Sequence, residues 1–196
     1  MRSLKIEQIE DIIKDTDFVS STLVETGTYE GNTVFNLYEF FNKIYTIELN
    51  KRSFDFCINK SKNLGINNIK FYNGQSQDIL PNLIQNELSD LDSCIFFLDA
   101  HYTKNDYGLT SKGDVDVPVC LEVGIITQLF KKKCIIIIDD ARALGKTSGK
   151  ETAYADWSNI THDNITSSIK NRSFTYKYYD GEKDPNDRLV LFIDNI

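Results

Sequence analysis

Three aspartates stand at the ends of the two most apolar runs in the sequence: Asp99 in CIFFLDA (94–100), and Asp139 with Asp140 in CIIIIDD (134–140). If these runs are neighbouring strands, the three carboxylates emerge at one edge of a sheet, where they repel one another unless a cation joins them. Hard oxygen ligands of this kind suit Mg²⁺, with Mn²⁺ or Ca²⁺ as variants. The other reading of Asp139 or Asp140 is a helix cap or an ion pair with Arg142. His101, one of only two histidines, follows Asp99 by two residues. An imidazole there could take the proton of a bound hydroxyl, with Asp99 as the second candidate base; a solvated loop histidine is the alternative. The other histidine, His162 in the polar stretch NITHDNIT, is expected at the surface.

A second set of residues points to a ligand without phosphate. LVETGTYEGNT (23–33) is an apolar run ending in an acid, Glu25, with Gly27 and Gly31 spaced for a tight turn into a helix. A dinucleotide site needs G-x-G-x-x-G and a nucleoside triphosphate site needs G-x-x-x-x-G-K-[ST]; this turn has neither. The Glu25 carboxylate would repel phosphate and suits a ligand with a positive group. Glu48 ends the run IYTIEL (44–49), a place from which a carboxylate can accept both hydroxyl hydrogens of a ribose. The run IKFYN (69–73) leads into NGQSQDILP, where Gln75 and Ser76 could meet an adenine edge and Asp78 is expected to cap the next helix. Tyr102, Tyr107 and the loop TKNDYGLTSKGDVDVP could form a substrate lid with aromatic faces for a sugar ring, or an unstructured loop. GKTSGK (145–150) lacks the leading glycine of a phosphate loop and is expected to be a flexible loop near the site.

The elements that would position these residues follow from the alternation of the chain. Five apolar runs, over 22–26, 44–49, 69–73, 94–100 and 134–140, are separated by amphipathic stretches that predict helices over 32–42, 51–64, 76–88 and 117–131, with another before the first strand. This is the pattern of a parallel sheet covered by helices. The runs IFFL and IIII have no polar alternation, as central strands buried on both faces require. FTYKYYDGEKDPNDRLVLFI carries two strand-like runs around a turn and predicts an antiparallel pair at one edge.

The order ETGTYEG, IELN, NGQSQDILP, FFLDAHY, IIIIDDAR resembles the class I S-adenosylmethionine-dependent methyltransferases across nearly the whole chain. The resemblance implies a Rossmann-like α/β three-layer sandwich with a mostly parallel seven-stranded sheet and an antiparallel C-terminal strand. It implies S-adenosylmethionine as cofactor, its methionine end held by the turn of Glu25, Gly27, Thr28, Tyr29, Gly31, Asn32 and Thr33. Glu48 and Leu49 would then hold the ribose, Gln75 and Ser76 the adenine, and Asp99 would lie beside the transferred methyl group. Gln75 departs from the pattern, because many members have an Asp there. The acidic set Asp99, Asp139 and Asp140 is similar to that of the metal-dependent sugar O-methyltransferases related to macrocin O-methyltransferase, in which a divalent metal grips neighbouring substrate hydroxyls. On that resemblance the metal is Mg²⁺ or Mn²⁺, the acceptor is a sugar, glycan or other small molecule, and Tyr102, Tyr107 and Arg142 face it. A metal-independent methyltransferase and a non-catalytic nucleoside- or glycan-binding domain are the alternatives.

The bulk properties agree with one domain over residues 1–196: 41% of residues are hydrophobic and 12% aromatic. A net charge of −7 argues against a nucleic-acid partner. No apolar run approaches the roughly 18 residues of a membrane span, and the charged start MRSLKIEQIEDIIKD lacks a signal-peptide core, so a soluble cytoplasmic protein without membrane insertion is expected. Cys57, Cys94, Cys120 and Cys134 are widely spaced and are expected to be reduced core residues.

Overall fold

The structure, a computed structural model, describes residues 3–104 and 110–195. Its strands are β1 (Thr22–Thr26), β2 (Lys43–Glu48), β3 (Ile69–Asn73), β4 (Ser93–Leu98), β5 (Lys133–Ile138), β6 (Phe174–Tyr179) and β7 (Arg188–Ile193). Its helices are α1 (Ile6–Ile13), α2 (Asn32–Leu37), α3 (Lys51–Asn63), α4 (Ser76–Glu87), α5 (Val119–Leu129) and α6 (His162–Ser167). The strands form a single sheet in the order β3-β2-β1-β4-β5-β7-β6, parallel except for β7, which pairs antiparallel with both β5 and β6. The antiparallel pair expected at the edge is present, with the later strand, β7, placed inside. Its run RLVLFI is more apolar than FTYKYY, so the sheet gains more by burying β7 and leaving β6 at the margin.

Alternation of side chains across the sheet builds the two outer layers. Cys94, Phe96 and Leu98 of β4 join Ile136 and Ile138 of β5 and the apolar faces of α4, α5 and α6. Ile95 and Phe97 join Ile135 and Ile137 in a second core against α1 and α2. Cys57, Cys94 and Cys134 are buried, Cys120 is half-buried, and all four are free thiols. α3 is capped by Asn50, whose side chain accepts from the Arg52 and Ser53 amides. α2 ends at Leu37, short of the expected 42, because only five residues remain before β2 must begin. Helix α6 carries no strong sequence signal. His162 starts it and is half-buried, its ring 4.3 Å from that of Tyr176 and its Nδ1 3.2 Å from the Tyr178 hydroxyl, so it is not the surface residue expected. Among the described residues no helix is long and apolar enough to cross a membrane.

Strand order reverses direction between β1 and β4, which is the switch point where open α/β sheets bind ligands. The chain leaving β1 runs against the chain leaving β4: Asp99 N donates to Thr26 O at 3.0 Å, and Asp139 N donates to Leu98 O at 3.1 Å. Gly27 sits in this seam with φ +86°, and a Cβ there would fall 2.2 Å from the Asp99 carbonyl oxygen. Both the left-handed backbone and the absent side chain are therefore required. Replacing Gly27 with Ala should lower stability by more than about 1 kcal/mol, the usual bound for Gly→Ala at a compatible site, and shift the urea midpoint accordingly.

Candidate functional site

At the switch point the strand ends surround one continuous cleft of about 590 Å³, within the range of small-molecule sites. Every residue expected to hold the cofactor lines it except Gly31, which serves the turn with φ +78°; so do Asp139, Asp140, His101, Tyr102 and Arg142. Tyr107 lies outside the described residues.

Glu48 shows how the backbone prepares one half of the cleft. Its Oε2 accepts from the Tyr29 amide at 2.7 Å and its Oε1 from the Asn50 amide at 2.6 Å. These amides fix the orientation of the carboxylate, and Leu49 adds a further backbone interaction. Burial raises its pKa and these backbone bonds oppose the rise. Deeper in, Glu25 Oε2 accepts from Thr46 Oγ1 at 2.6 Å, and Thr46 Oγ1 lies 2.5 Å from Thr28 Oγ1. Burial pushes the Glu25 carboxyl up to about 8, and the Thr46 hydroxyl pulls against it. Ser76 Oγ is buried without a hydrogen-bond partner at the cleft wall. Gln75 is engaged instead: its Nε2 donates to Asp78 Oδ2 at 3.0 Å and to Asp114 Oδ2 at 2.8 Å, while its Oε1 accepts from the Asp114 amide and from Gln77 Nε2. Asp78 lies in the first turn of α4 and does not cap it; Gln75 holds the cap position.

The other half is a chain of alternating charges. His101 stands between two carboxylates, with Nδ1 3.2 Å from Asp99 Oδ1 and Nε2 3.0 Å from Asp140 Oδ2. Burial would lower its pKa, but the bonds to Asp140 and Asp99 outweigh it and carry the imidazole up to about 10. Asp99, raised to about 7 chiefly by burial, is its weaker partner. Burial also opposes charge on Asp140, yet His101 and Arg142 together hold that carboxyl well below the usual range. Asp140 therefore does form the ion pair with Arg142 that its position in the sequence allows. Arg142 in turn donates to buried Asp187 at 2.5 Å, so in this state its guanidinium binds two carboxylates. Asp139 is paired with Arg188, whose Nε donates to its Oδ1 at 3.1 Å. The acidic residues thus form two sets sharing one member, Asp99–His101–Asp140 and Asp139–Asp140–Asp187, each with donor atoms within 4.8 Å of one another. Asp140 has φ 58° and ψ 32°, a left-handed conformation that Asp tolerates better than most residues and that costs about 1 kcal/mol or more.

Several participants have no signal in the sequence. Arg188 and Asp187 open β7 and are fully buried. Trp157 lies beneath His101 with ring centroids 5.3 Å apart and brings the loop after β5 back into the core. Glu122 of α5 is buried beside Ser76 and Thr26; burial lifts its pKa to about 7, and the two hydroxyls favour its charged form without reaching hydrogen-bond geometry. An acid or arginine that works only through a distant strand gives no spacing to read. Within its own run it resembles a surface charge.

No protein-family model matches the chain, and neither does any curated protein. The fold, by contrast, is well represented among solved structures. The O-methyltransferase TomG of Streptomyces achromogenes, involved in tomaymycin synthesis and solved with S-adenosylmethionine, is similar over 90% of this chain and 74% of its own, with TM-score 0.62 and 15% identity. An O-methyltransferase of Bacillus cereus in complex with S-adenosylhomocysteine gives TM-score 0.60 and 15% identity over the same shares. A Streptococcus mutans protein in complex with S-adenosylhomocysteine covers 100% of both chains, with TM-score 0.56 and 12% identity. The class defined by these likenesses is one of architecture: the chain has the Rossmann-like α/β fold of the class I methyltransferases.

The raised Glu25 has a consequence for stability. Between its unfolded value of 4.5 and about 8 the folded protein keeps a proton that the unfolded chain has lost. Stability from this group is complete below the lower value and declines as pH rises toward the upper. Urea unfolding of the wild type and of Glu25→Gln should show a difference that grows in favour of Gln between pH 5 and pH 8; a difference independent of pH would contradict the assignment.

Proposed function

We propose that the protein transfers the methyl group of S-adenosylmethionine to a hydroxyl oxygen of a sugar or another small polyol. The observation that carries this reading is the shared cleft, in which the prepared carboxylates Glu25 and Glu48 and the Asp99–His101–Asp140 group face one space. Glu48, its orientation fixed by backbone amides, fits a ribose diol. Buried Glu25 fits the ammonium of the methionine end, and the unpartnered Ser76 hydroxyl fits an adenine edge. The close passage of Gly27 over the Asp99 carbonyl fits a ligand lying across the switch point, and the turn carries no phosphate cradle. These residues suit the cofactor that the TomG and Bacillus cereus structures contain.

When bound, S-adenosylmethionine supplies an electrophilic methyl group on a sulfonium, so the chain has chiefly to orient the acceptor oxygen in line with it. An alcohol is a weak nucleophile at neutral pH, and His101 or Asp99 is placed to accept its proton. As it stands His101 donates from both ring nitrogens, and it becomes a base only when its contacts with Asp99 and Asp140 loosen. Tyr102 and Arg142, at the same end of the cleft, and Tyr107 would contact the acceptor. A divalent ion, Mg²⁺ or Mn²⁺, fits the donor set of Asp99 and Asp140 and would hold the acceptor's hydroxyls and lower their pKa. Asp139 would contribute negative charge beside it and become a ligand only on releasing Arg188.

A metal-independent transfer is the second reading, and one observation favours it. His101, Arg142 and Arg188 already neutralise the cluster from within the protein, so these acids do not need an ion to coexist.

Calorimetry should show S-adenosylhomocysteine binding more tightly than NAD, and Glu48→Ala should weaken it by roughly 1–3 kcal/mol through lost charged hydrogen bonds. Tighter binding of NAD would reject the cofactor. EDTA should abolish transfer and Mg²⁺ restore it, with S-adenosylhomocysteine binding little altered; full activity in EDTA would promote the second reading. His101→Ala should reduce the rate by roughly 10²- to 10⁴-fold if it is the general base.

A further inference from the structure

Residues 110–115, ahead of α5, lie over the cleft and are tied there to the opposite wall. Asn50 Nδ2 donates to Ser111 Oγ at 3.0 Å. Gln75 binds Asp114 twice, donating from Nε2 to Oδ2 at 2.8 Å and accepting the backbone amide at Oε1, also at 2.8 Å. Between these ties Gly113 lies so close that a Cβ would come within 2.8 Å of Gln75 Oε1 and 3.4 Å of Leu49 Cδ2. Thr110, Ser111, Gly113 and Val115 all line the cleft.

Both anchors belong to the nucleoside half. Asn50 follows Glu48 by two residues, and Gln75 precedes Ser76. Gln75 uses both ends of its amide on neighbouring groups, so it is poorly placed to read a base. A carboxylate at position 75 would repel Asp114, whereas an amide complements a backbone N–H and a carboxylate together. The departure at this position therefore has a physical reason within this chain.

We propose that residues 110–115 form a third wall of the cofactor site and that the Gln75–Asp114 pair is the latch holding this wall against the nucleoside end. This rests on the cofactor reading above. With the latch closed, the cofactor lies between the strap and the ends of β2 and β3, and it leaves on that side only when the pair opens. Asp114 is a positioning residue: it acts through Gln75 and the strap.

The test is the rate at which the full-length protein releases S-adenosylhomocysteine, measured by surface plasmon resonance, together with the cofactor KM and kcat. Asp114→Ala removes the side-chain acceptor and should raise the dissociation rate and Kd by roughly 10- to 100-fold, as expected for loss of a hydrogen bond to a charged group. KM for the cofactor should rise more than kcat falls. Gly113→Ala, which sets a Cβ against Gln75 Oε1 and leaves the Asp114 carboxylate in the chain, should do the same. Asp114→Asn keeps an oxygen for Gln75 Nε2 and should restore slow release, and the melting temperature should follow neither pattern. Unchanged release in both Asp114→Ala and Gly113→Ala, or Asp114→Asn as fast as Asp114→Ala, would overturn the latch. A wild-type protein that does not bind S-adenosylhomocysteine at all would overturn the cofactor reading instead.

Discussion

The contact between the end of β1 and the end of β4 constrains everything above it. Because Gly27 has no side chain, its backbone can pass against the Asp99 carbonyl, and the turn that follows opens directly beside the acidic strand end. Move these two loops apart by one side chain and Glu25 no longer shares a space with Asp99 and His101. The sheet makes the seam possible by placing β1 next to β4, and the reversal of strand order there leaves a crevice that neither helical layer covers. Both cores support this arrangement from below. Consecutive β4 residues serve opposite layers, so the strand end is held from two sides and Asp99 inherits its place from Phe96, Phe97 and Leu98.

Above the seam, electrostatics replaces packing as the organising force. Five carboxylates gather near one edge, and burial alone would protonate most of them. They remain compatible because cations are interleaved: His101 between Asp99 and Asp140, Arg142 between Asp140 and Asp187, Arg188 against Asp139. Asp99, Asp139 and Asp187 are still raised by burial in spite of these partners, and Glu25, which has hydroxyls in place of a cation, is raised to about 8. This is why Arg188 can be fully buried. The arginine is enclosed by Asp139, the Ser3 carbonyl and the ring of Phe97, and removal of Asp139 would leave an uncompensated charge inside the protein.

The fold was legible because its strands are strongly marked. Unbroken runs such as IFFL and IIII, rich in β-branched or aromatic residues and too short for helices, read as interior strands of a covered sheet, and five acid- or glycine-marked strand ends appear in the order the architecture requires. Much of the cleft lining was legible for the same reason, since residues at strand ends fall at one edge of a parallel sheet whatever else happens. What could not be read was pairing across the sheet. Nothing local tells that β7 inserts beside β5, and this single fact brings Asp187 and Arg188 to the acidic cluster. Nor does the spacing of Gln75 and Asp114, 39 residues apart, announce their two hydrogen bonds. Trp157 reads as one aromatic residue in a polar loop; only the tertiary return of that loop places it under His101.

The two halves of the cleft differ in how firmly they are determined, and the difference bears on specificity. At the Glu48 end of the cleft the polar groups are set by backbone amides and hydroxyls fixed to the sheet, as Glu48 is by Tyr29 and Asn50, so their geometry follows from the fold. At the His101 end the groups are charged side chains bound to one another, on loops after β4 and β5 and just ahead of β7. Such a network can exchange partners at modest cost, because each charge leaving one contact finds another nearby. Tyr102, Arg142 and the charge shared among Asp99, His101 and Asp140, and not the strand framework, give that end of the cleft its shape and polarity.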